Sequence, residues 1–213
     1  MNLKGMIFNK EVRNLAGALT VIGGTMFGGK TTELITRANI IEKYMESRVF
    51  YFKPAHDTRD SKEIICSHDG RSCEVINVKN SQEILEIIAP HNNKQIFVII
   101  DELQFFDKDI VGVIRKILGN GHDVIAGGLL KDYMGNSFEN TSILMDEAEN
   151  PIYKNAICTF QINGKRCGEK AIFNQRIDVY GKPVIKSGEI VQVGAAESYQ
   201  PRCREHFVWP KNS

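Results

Sequence analysis

Short apolar segments alternate with amphipathic stretches over the first two-thirds of the sequence. The apolar segments are rich in Val, Ile and Phe and are bounded by Gly, Pro or charged residues, which is typical of strands buried on both faces. They occupy residues 18–22, 49–53, 96–100 and 124–126. The stretches with helical periodicity occupy residues 31–45, 82–89 and 109–118. This alternation predicts an α/β fold, in which helices cover both faces of a parallel sheet.

The last quarter of the sequence has a different character. Turn-forming glycines separate short strand-like segments such as residues 190–193, and no long helix is indicated. A region this small and rich in loops buries little apolar surface, so a bound metal would help to stabilise it. We therefore predict an α/β domain over residues 1–150 and a small metal-binding domain over residues 151–213.

A phosphate-binding loop follows the first predicted strand. Residues 24–31 read GTMFGGKT and match the pattern G-x-x-x-x-G-K-[ST], and the predicted helix begins at about Lys30. Glycines let backbone N–H groups turn towards phosphates, and the helix N-terminus adds positive partial charge. The residues expected at the phosphates are Gly24, Thr25, Met26, Phe27, Gly28, Gly29, Lys30 and Thr31. The alternative is a glycine-rich turn that precedes a lysine by chance.

Two carboxylates, Asp101 and Glu102, directly follow the apolar segment 96–100. The carboxyl ends of parallel strands form the ligand crevice of an α/β sheet. Asp101 is therefore expected to hold Mg²⁺ through water, together with the Thr31 hydroxyl. Glu102 could take a proton from water or from an alcohol. The alternative is that this pair only caps a helix that starts near Asp107.

The charge balance argues against a general attraction to nucleic acid or to anionic membranes. The sequence has 27 Lys and Arg against 26 Asp and Glu, a formal net charge of +1. No apolar run approaches the ~18 residues needed to cross a bilayer. The first residues lack the continuous apolar stretch of a secretory signal, so we expect a cytoplasmic protein.

The cysteines indicate a metal site. Five cysteines in a chain without an evident export signal argue against a disulfide framework. Four residues near the end offer a donor set suited to a closed tetrahedral Zn²⁺ site: Cys158, Cys167, Cys203 and His206. The first two are widely spaced, and Asn163-Gly164 between them could let the chain fold back. The alternative is three buried thiols and a surface histidine.

Four segments in this order carry a resemblance to a known family. They are residues 24–31 (GTMFGGKT), 53–59 (KPAHDTR), 101–106 (DELQFF) and 203–206 (CREH). Together they resemble the type II, zinc-containing thymidine kinases, over residues 19–206. The resemblance implies a P-loop, RecA-like α/β domain with a C-terminal zinc-binding lasso that closes over the nucleoside. It also implies a homotetramer that uses ATP and Mg²⁺ to phosphorylate the 5′-hydroxyl of thymidine in pyrimidine salvage, with deoxyuridine as a second acceptor.

The resemblance also implies roles for individual residues. Glu102 would be the catalytic base, Lys30 and Thr31 would hold phosphate and Mg²⁺, and Asp101 would be the second acid of the metal site. Arg59 and Gln104 would lie at the phosphates. The nucleoside pocket would be formed by Met26, Phe105, Leu129, Tyr133, Asn174 and Tyr199. The sequence departs from the family pattern at Leu130, where Asp is usual, and at Asn174, where Thr is usual.

Two other functions are compatible with the motifs. A phosphate loop and a Cys/His cluster also occur together in ATPases or switches whose zinc knuckle binds nucleic acid or a partner. The substitutions at Leu130 and Asn174 are compatible with an inactive relative that only binds. ATP hydrolysis that depends on thymidine would distinguish the kinase from both.

Overall fold

The computed structural model describes residues 16–45, 47–55, 62–66, 72–91, 94–184 and 198–209. Within these ranges no helix is both long enough and apolar enough to cross a membrane. The strands of the large sheet are β1 (Leu19–Gly24), β2 (Val49–Pro54), β3 (Lys62–Cys66), β4 (Ser72–Val78), β5 (Phe97–Ile100), β6 (Asp123–Leu129) and β7 (Asn150–Lys154). The helices are α1 (Lys30–Met45), α2 (Gln82–Ile88), α3 (Ile110–Gly119) and α4 (Glu139–Glu147).

The large sheet has the strand order β3-β4-β2-β5-β6-β1-β7. Six of its strands are parallel, and β3 pairs antiparallel with β4 at one edge. This confirms the predicted α/β fold with a parallel sheet. Each strand and helix predicted in the first two-thirds of the sequence corresponds to an observed element with bounds that differ by a few residues. The central strands β1, β5 and β6 place their carboxyl ends side by side, and the candidate site lies there.

Helices cover both faces of the sheet, as the sequence predicts. On one face, α1 buries Leu34, Ile35 and Ala38 against side chains of the strands such as Ile22 and Ile99. The other face is covered by α2, α3 and α4, which bury an apolar set that includes Ile84, Ile114 and Leu144. Because both faces are covered, the central strands are mostly apolar and do not alternate between apolar and polar residues.

Four elements were not predicted: the strands β3, β4 and β7 of the large sheet, and the helix α4 that packs on it. The sheet's edge strand β7 has the sequence NPIYK, with two exposed residues at its start, so it lacks an apolar run. The hairpin partners β3 and β4 contain polar residues at many positions. Helix α4, with the sequence ENTSILMDE, has only a narrow apolar stripe. Each of these elements lies at the edge or periphery of the sheet, where the apolar pattern is weakest.

The C-terminal part forms two small antiparallel sheets. One joins β8 (Gln161–Ile162) to β9 (Lys165–Arg166), and the other joins β10 (Phe173–Arg176) to β11 (Tyr199–Arg202). The strand-like segment 190–193 lies outside the described residues. The division into residues 1–150 and 151–213 stays a prediction, and β7, which begins at that boundary, pairs with β1 in the large sheet.

The packing of α3 gives a test of the fold. Ile114 is fully buried on the apolar face of this helix. Ile114→Ala should lower the free energy of unfolding by about 2–5 kcal/mol, because it leaves a cavity that the neighbours only partly fill. Urea denaturation measures the change. Lys116→Ala, on the exposed face of the same helix, should change it by no more than about 0.5 kcal/mol. Equal stability of the two variants would contradict this packing.

Candidate active site

The phosphate loop connects the end of β1 to the start of α1, as predicted. A Cβ atom added at Gly24 or at Gly28 would lie 1.8 or 2.1 Å from the carbonyl oxygen of Lys154, so β7 leaves room only for glycine at both positions. Gly29 has a φ of 81° and Phe27 a φ of 60°, both in the left-handed region. The loop is therefore shaped by backbone contacts with β7 as well as by its own glycines.

Lys30 and Thr31 begin α1 with their polar atoms inside the crevice. The buried Lys30 donates a hydrogen bond from Nζ to the carbonyl oxygen of Thr25 at 2.8 Å. Burial lowers the pKa of Lys30, and the carboxylates of Glu102 and Asp101 oppose that shift. A polyanion bound in the loop would stabilise the lysine's charge further. The Thr31 hydroxyl donates to Oδ2 of Asp101 at 2.9 Å.

Asp101 lies at the carboxyl end of β5 and is only 1% exposed. Its Oδ2 accepts hydrogen bonds from the hydroxyls of Thr31 and Tyr51, at 2.9 and 3.1 Å, and lies 3.7 Å from Nζ of Lys53. Its Oδ1 accepts the backbone N–H of Glu102 at 2.9 Å. The structure thus brings together the loop hydroxyl and the strand-end acid that a bound Mg²⁺ would require.

Glu102 occupies a strained backbone position directly after this acid. Its φ and ψ are 59° and 44°, a left-handed conformation that costs a residue other than glycine about 1 kcal/mol or more. Burial raises the pKa of Glu102, and the neighbouring Asp101 carboxylate raises it further. A carboxylate with a raised pKa is a better proton acceptor. Strained conformations concentrate at functional sites, and here the strained residue is the one that the sequence predicts as the base.

Gln104 orients the Glu102 carboxylate. Its Oε1 accepts the backbone N–H of Leu129 at 2.8 Å, and its Nε2 donates to Oε2 of Glu102. Since Oε1 faces an N–H group, the amide can present only its NH₂ group to the carboxylate. The described contacts of Gln104 thus join Glu102 to the carboxyl end of β6. Its predicted place at the phosphates stays a prediction, and this orienting role was missed because sequence does not show which side chains meet.

Asn174 joins two loops at the site. Its Oδ1 accepts the backbone N–H of Met26 at 2.8 Å, and its Nδ2 donates to the carbonyl oxygen of Lys131 at 3.0 Å. The side chain is buried, so both halves of its amide are satisfied by backbone. A threonine hydroxyl would have to accept and donate through one oxygen, whereas the amide uses two separate atoms. Asn174 thus connects the backbone of the phosphate loop at Met26 to the backbone at Lys131.

Arg176 lies beside two of the predicted pocket aromatics, Tyr133 and Tyr199. Tyr133 is buried, and the guanidinium carbon of Arg176 lies 5.3 Å from its ring centroid. Tyr199 is partly buried and pairs with Arg176 across β10 and β11. Phe105 is partly buried and ends the short 3₁₀ helix Leu103–Phe105, which follows β5. Leu129 is partly buried at the end of β6. Arg59 lies outside the described residues.

Leu130, where the resembled family has an acid, contributes to the apolar packing. A Cβ atom added at Gly23 would lie 2.9 Å from the Leu130 Cδ2 and 3.0 Å from the Met145 sulfur. The backbone N–H of Leu130 donates to the carbonyl oxygen of Gly24 at 3.2 Å. The leucine thus packs between β1 and α4, and it leaves the carboxylates of the crevice in place.

The four predicted metal ligands meet in one cluster. The donor atoms of Cys158, Cys167, Cys203 and His206 all lie within 4.8 Å of one another. Two of the spacings are 4.0 Å between the Cys167 and Cys203 sulfurs and 3.2 Å between the Cys203 sulfur and His206 Nδ1. Sulfur donors ~2.3 Å from a tetrahedral zinc ion stand about 3.8 Å apart, so this donor set fits Zn²⁺.

The wide spacing of the first two cysteines has a simple structural basis. The hairpin β8–β9 lies between them, and its turn residues Asn163 and Gly164 have φ values of 49° and 76°. Asn-Gly with both residues left-handed is the preferred two-residue hairpin turn. The extra residues therefore fold back, as predicted, and return Cys167 to the cluster.

The pKa of the Cys158 thiol is lowered to about 7. Burial disfavours its thiolate, but hydrogen bonds from the backbone of Cys203 and Phe160 outweigh this effect.

Comparison with known proteins agrees with this geometry. The family model described as thymidine kinase matches residues 17–207. A thymidine kinase of Mycoplasma capricolum subsp. capricolum is 40% identical to this sequence over 200 residues, which cover 93% of this chain and 92% of that protein. The matched range contains the phosphate loop, the carboxylate pair and the Cys/His cluster. These matches confirm the resemblance carried by the four motifs, and the chain belongs to the thymidine kinase family.

Proposed function

We propose that this protein transfers the γ-phosphate of ATP to the 5′-hydroxyl of thymidine and so forms dTMP for pyrimidine salvage. The observation that carries the proposal is the meeting of the Thr31 hydroxyl, Asp101 and Glu102 at the carboxyl ends of the central strands. The phosphate loop provides a place for the triphosphate, and family membership favours thymidine as the acceptor.

The phosphate end of the site would act by charge. Backbone N–H groups of residues 24–29 and the Lys30 ammonium would neutralise the phosphate oxygens, which bear the charge of the transferring group. Thr31 and Asp101 would hold a Mg²⁺ ion, which supplies further charge neutralisation when bound with ATP. Arg59 and Gln104 are proposed as additional contacts to the phosphates on the family resemblance alone.

The acceptor end of the site would act by proton transfer. Glu102 would accept the proton of the 5′-hydroxyl as that oxygen bonds to the γ-phosphorus, while the bond from this phosphorus to the β–γ bridging oxygen breaks and ADP leaves. Gln104 would keep the carboxylate aimed at the hydroxyl. Proton removal is needed only at this oxygen, and Glu102 would supply the carboxylate for it, while Asp101 would hold the metal ion.

The nucleoside would be bound by apolar and aromatic walls, which suit a flat base. We propose Met26, Phe105, Leu129, Tyr133, Asn174 and Tyr199 for this role. Deoxyuridine is expected as a second acceptor, because one missing methyl group costs only ~1–3 kcal/mol in an apolar pocket. The cytoplasmic location and the homotetramer stay proposals that rest on the family.

We further propose that the Cys/His cluster holds a structural Zn²⁺ ion. Four protein donors close the coordination sphere, so the metal would act on folding and not on the reaction. Cys203 and His206 directly follow β11, and Cys158 lies soon after the contact between Ala156 and the phosphate loop. The metal would therefore fix the segment that packs on the phosphate loop.

The substrate assignment is tested with a panel of the four deoxynucleosides and deoxyuridine, each with radiolabelled ATP and Mg²⁺. We expect labelled monophosphate from thymidine, less from deoxyuridine, and little ATP hydrolysis without a nucleoside. Hydrolysis that is independent of nucleoside, or that DNA stimulates, would instead indicate an ATPase or switch. Absence of any monophosphate from folded, metal-loaded protein would indicate an inactive relative.

The catalytic base is tested by Glu102→Gln. The amide keeps the shape of the side chain but cannot accept a proton, so kcat should fall roughly 10²–10⁴-fold. ATP affinity, measured by calorimetry, should stay within about twofold, since the phosphate contacts remain. Glu86→Gln on the exposed side of α2 is the matched control and should keep full turnover. Wild-type turnover in the Glu102 variant would contradict the role.

The metal site is tested by elemental analysis and thermal denaturation. We expect about one Zn per chain, as a closed four-ligand site requires. Cys203→Ser should lose the metal and lower the melting temperature, whereas Cys66→Ser, at a cysteine that the sequence analysis does not assign to the metal site, should keep the metal. A metal-free protein with unchanged melting temperature and activity would refute the proposal.

A further inference from the structure

Trp209 lies directly against the turn that carries Tyr133. It is the single tryptophan of the sequence and lies three residues after His206. A Cβ atom added at Gly135 would lie 2.7 Å from Cζ3 of the indole and 3.2 Å from Cη2. Gly135 also has a φ of 88°, so glycine is required there both by the backbone and by the indole. The indole thus packs directly against the backbone of Gly135.

The indole is held in place by the C-terminal sheet. Its ring packs edge-on against Phe173 and Phe207, with centroid distances of 5.2 and 5.0 Å, and those two rings stack on each other at 4.3 Å. The backbone N–H of Val208 donates to Oε1 of the fully buried Gln175 at 2.8 Å. Residues 207–209 are therefore fixed to β10, and Trp209 cannot move away from the turn without breaking these contacts.

The turn under the indole is a compact unit built on Asp132. Oδ1 of Asp132 accepts the backbone N–H groups of Met134 and Asn136, each at 2.9 Å, and the N–H of Gly135 donates to the Asp132 carbonyl oxygen at 3.2 Å. Tyr133, only 1% exposed, lies within this unit. Because Gly135 is two residues from Tyr133 in a hydrogen-bonded turn, a contact that fixes Gly135 also fixes the tyrosine.

We propose that Trp209 is a positioning residue for the nucleoside: it holds the turn 131–137 so that Tyr133 stands where the base binds. This inference rests on the proposed function. The indole is 53% exposed, so its removal takes away little of the buried core. The contacts described for the indole are with Gly135 of this turn and with Phe173 and Phe207, and none of these three residues belongs to the phosphate loop. Its loss should therefore weaken nucleoside binding selectively.

The experiment compares steady-state kinetics of the full-length, zinc-loaded protein and its variants, with thymidine and ATP varied separately. Trp209→Ala should raise KM for thymidine roughly three- to tenfold, the size expected when a contact between neighbouring groups is lost. Both kcat and KM for ATP should stay within about twofold, because the groups that transfer phosphate are untouched. Trp209→Phe, which keeps an aromatic ring, should restore most of the thymidine affinity.

Tyr180→Ala is the matched control. Tyr180 is an exposed aromatic residue in the same C-terminal part, and its loss should change none of these constants. Gly135→Ala should also raise KM for thymidine, since the added methyl group collides with the indole and strains the backbone at a φ of 88°. The double variant should show less than the product of the two single effects, because without the indole only the backbone strain remains.

The outcomes separate this inference from the proposed function. A wild-type protein that does not phosphorylate thymidine refutes the proposed function. A wild-type protein that is active, with an unchanged thymidine KM in Trp209→Ala, refutes only the positioning role. A variant that loses kcat, ATP affinity and melting temperature together also refutes it, because that pattern indicates general destabilisation.

Discussion

The buried carboxylate of Asp101 is the interaction on which the rest of the site depends. A charge in the interior is costly unless its oxygens are hydrogen-bonded. Here β2 contributes Tyr51 and Lys53, α1 contributes Thr31, and the chain itself contributes the N–H of Glu102. Satisfying one carboxylate thus fixes three elements at the carboxyl edge of the sheet. It also places Glu102 in its strained conformation beside the phosphate loop.

The C-terminal part is joined to the same loop by several contacts. The Ala156 N–H donates to the Thr25 hydroxyl at 2.9 Å, and Asn174 accepts the N–H of Met26. Lys154 pairs with Glu33 in the first turn of α1 at 2.9 Å. Through these contacts, the segment that carries the metal ligands supports the nucleotide site. The phosphate loop is thus held from both sides, by the sheet and by the C-terminal part.

The sequence predicts the parts of this molecule whose chemistry is local. The strand–loop–helix arrangement around Lys30 follows from residue type and spacing alone, as does the Asn163-Gly164 turn. The metal ligands follow from the donor chemistry of cysteine and histidine. The family's motifs then favour thymidine as the substrate and lead to the proposal of Glu102 as the base. These features depend on neighbours in sequence or on a few strongly selective residue types.

Contacts between distant segments could not be predicted in the same way. No local pattern shows that Gln104 meets both Glu102 and Leu129, or that Asn174 bridges Met26 and Lys131. Tyr51 is read as an apolar strand residue until the fold places its hydroxyl on Asp101. The strand β7 is polar at its start, and only the close approach of Lys154 to Gly24 and Gly28 reveals its importance. Such roles are set by tertiary geometry.

The location of the single indole has a practical consequence. Excitation of tryptophan in this protein samples one place only, the contact between Trp209 and Gly135. The emission spectrum is therefore free of background from other indoles, and it reports on surroundings a few ångströms from the Tyr133 turn. The chain therefore carries an intrinsic fluorophore at the Tyr133 turn, and no label has to be attached.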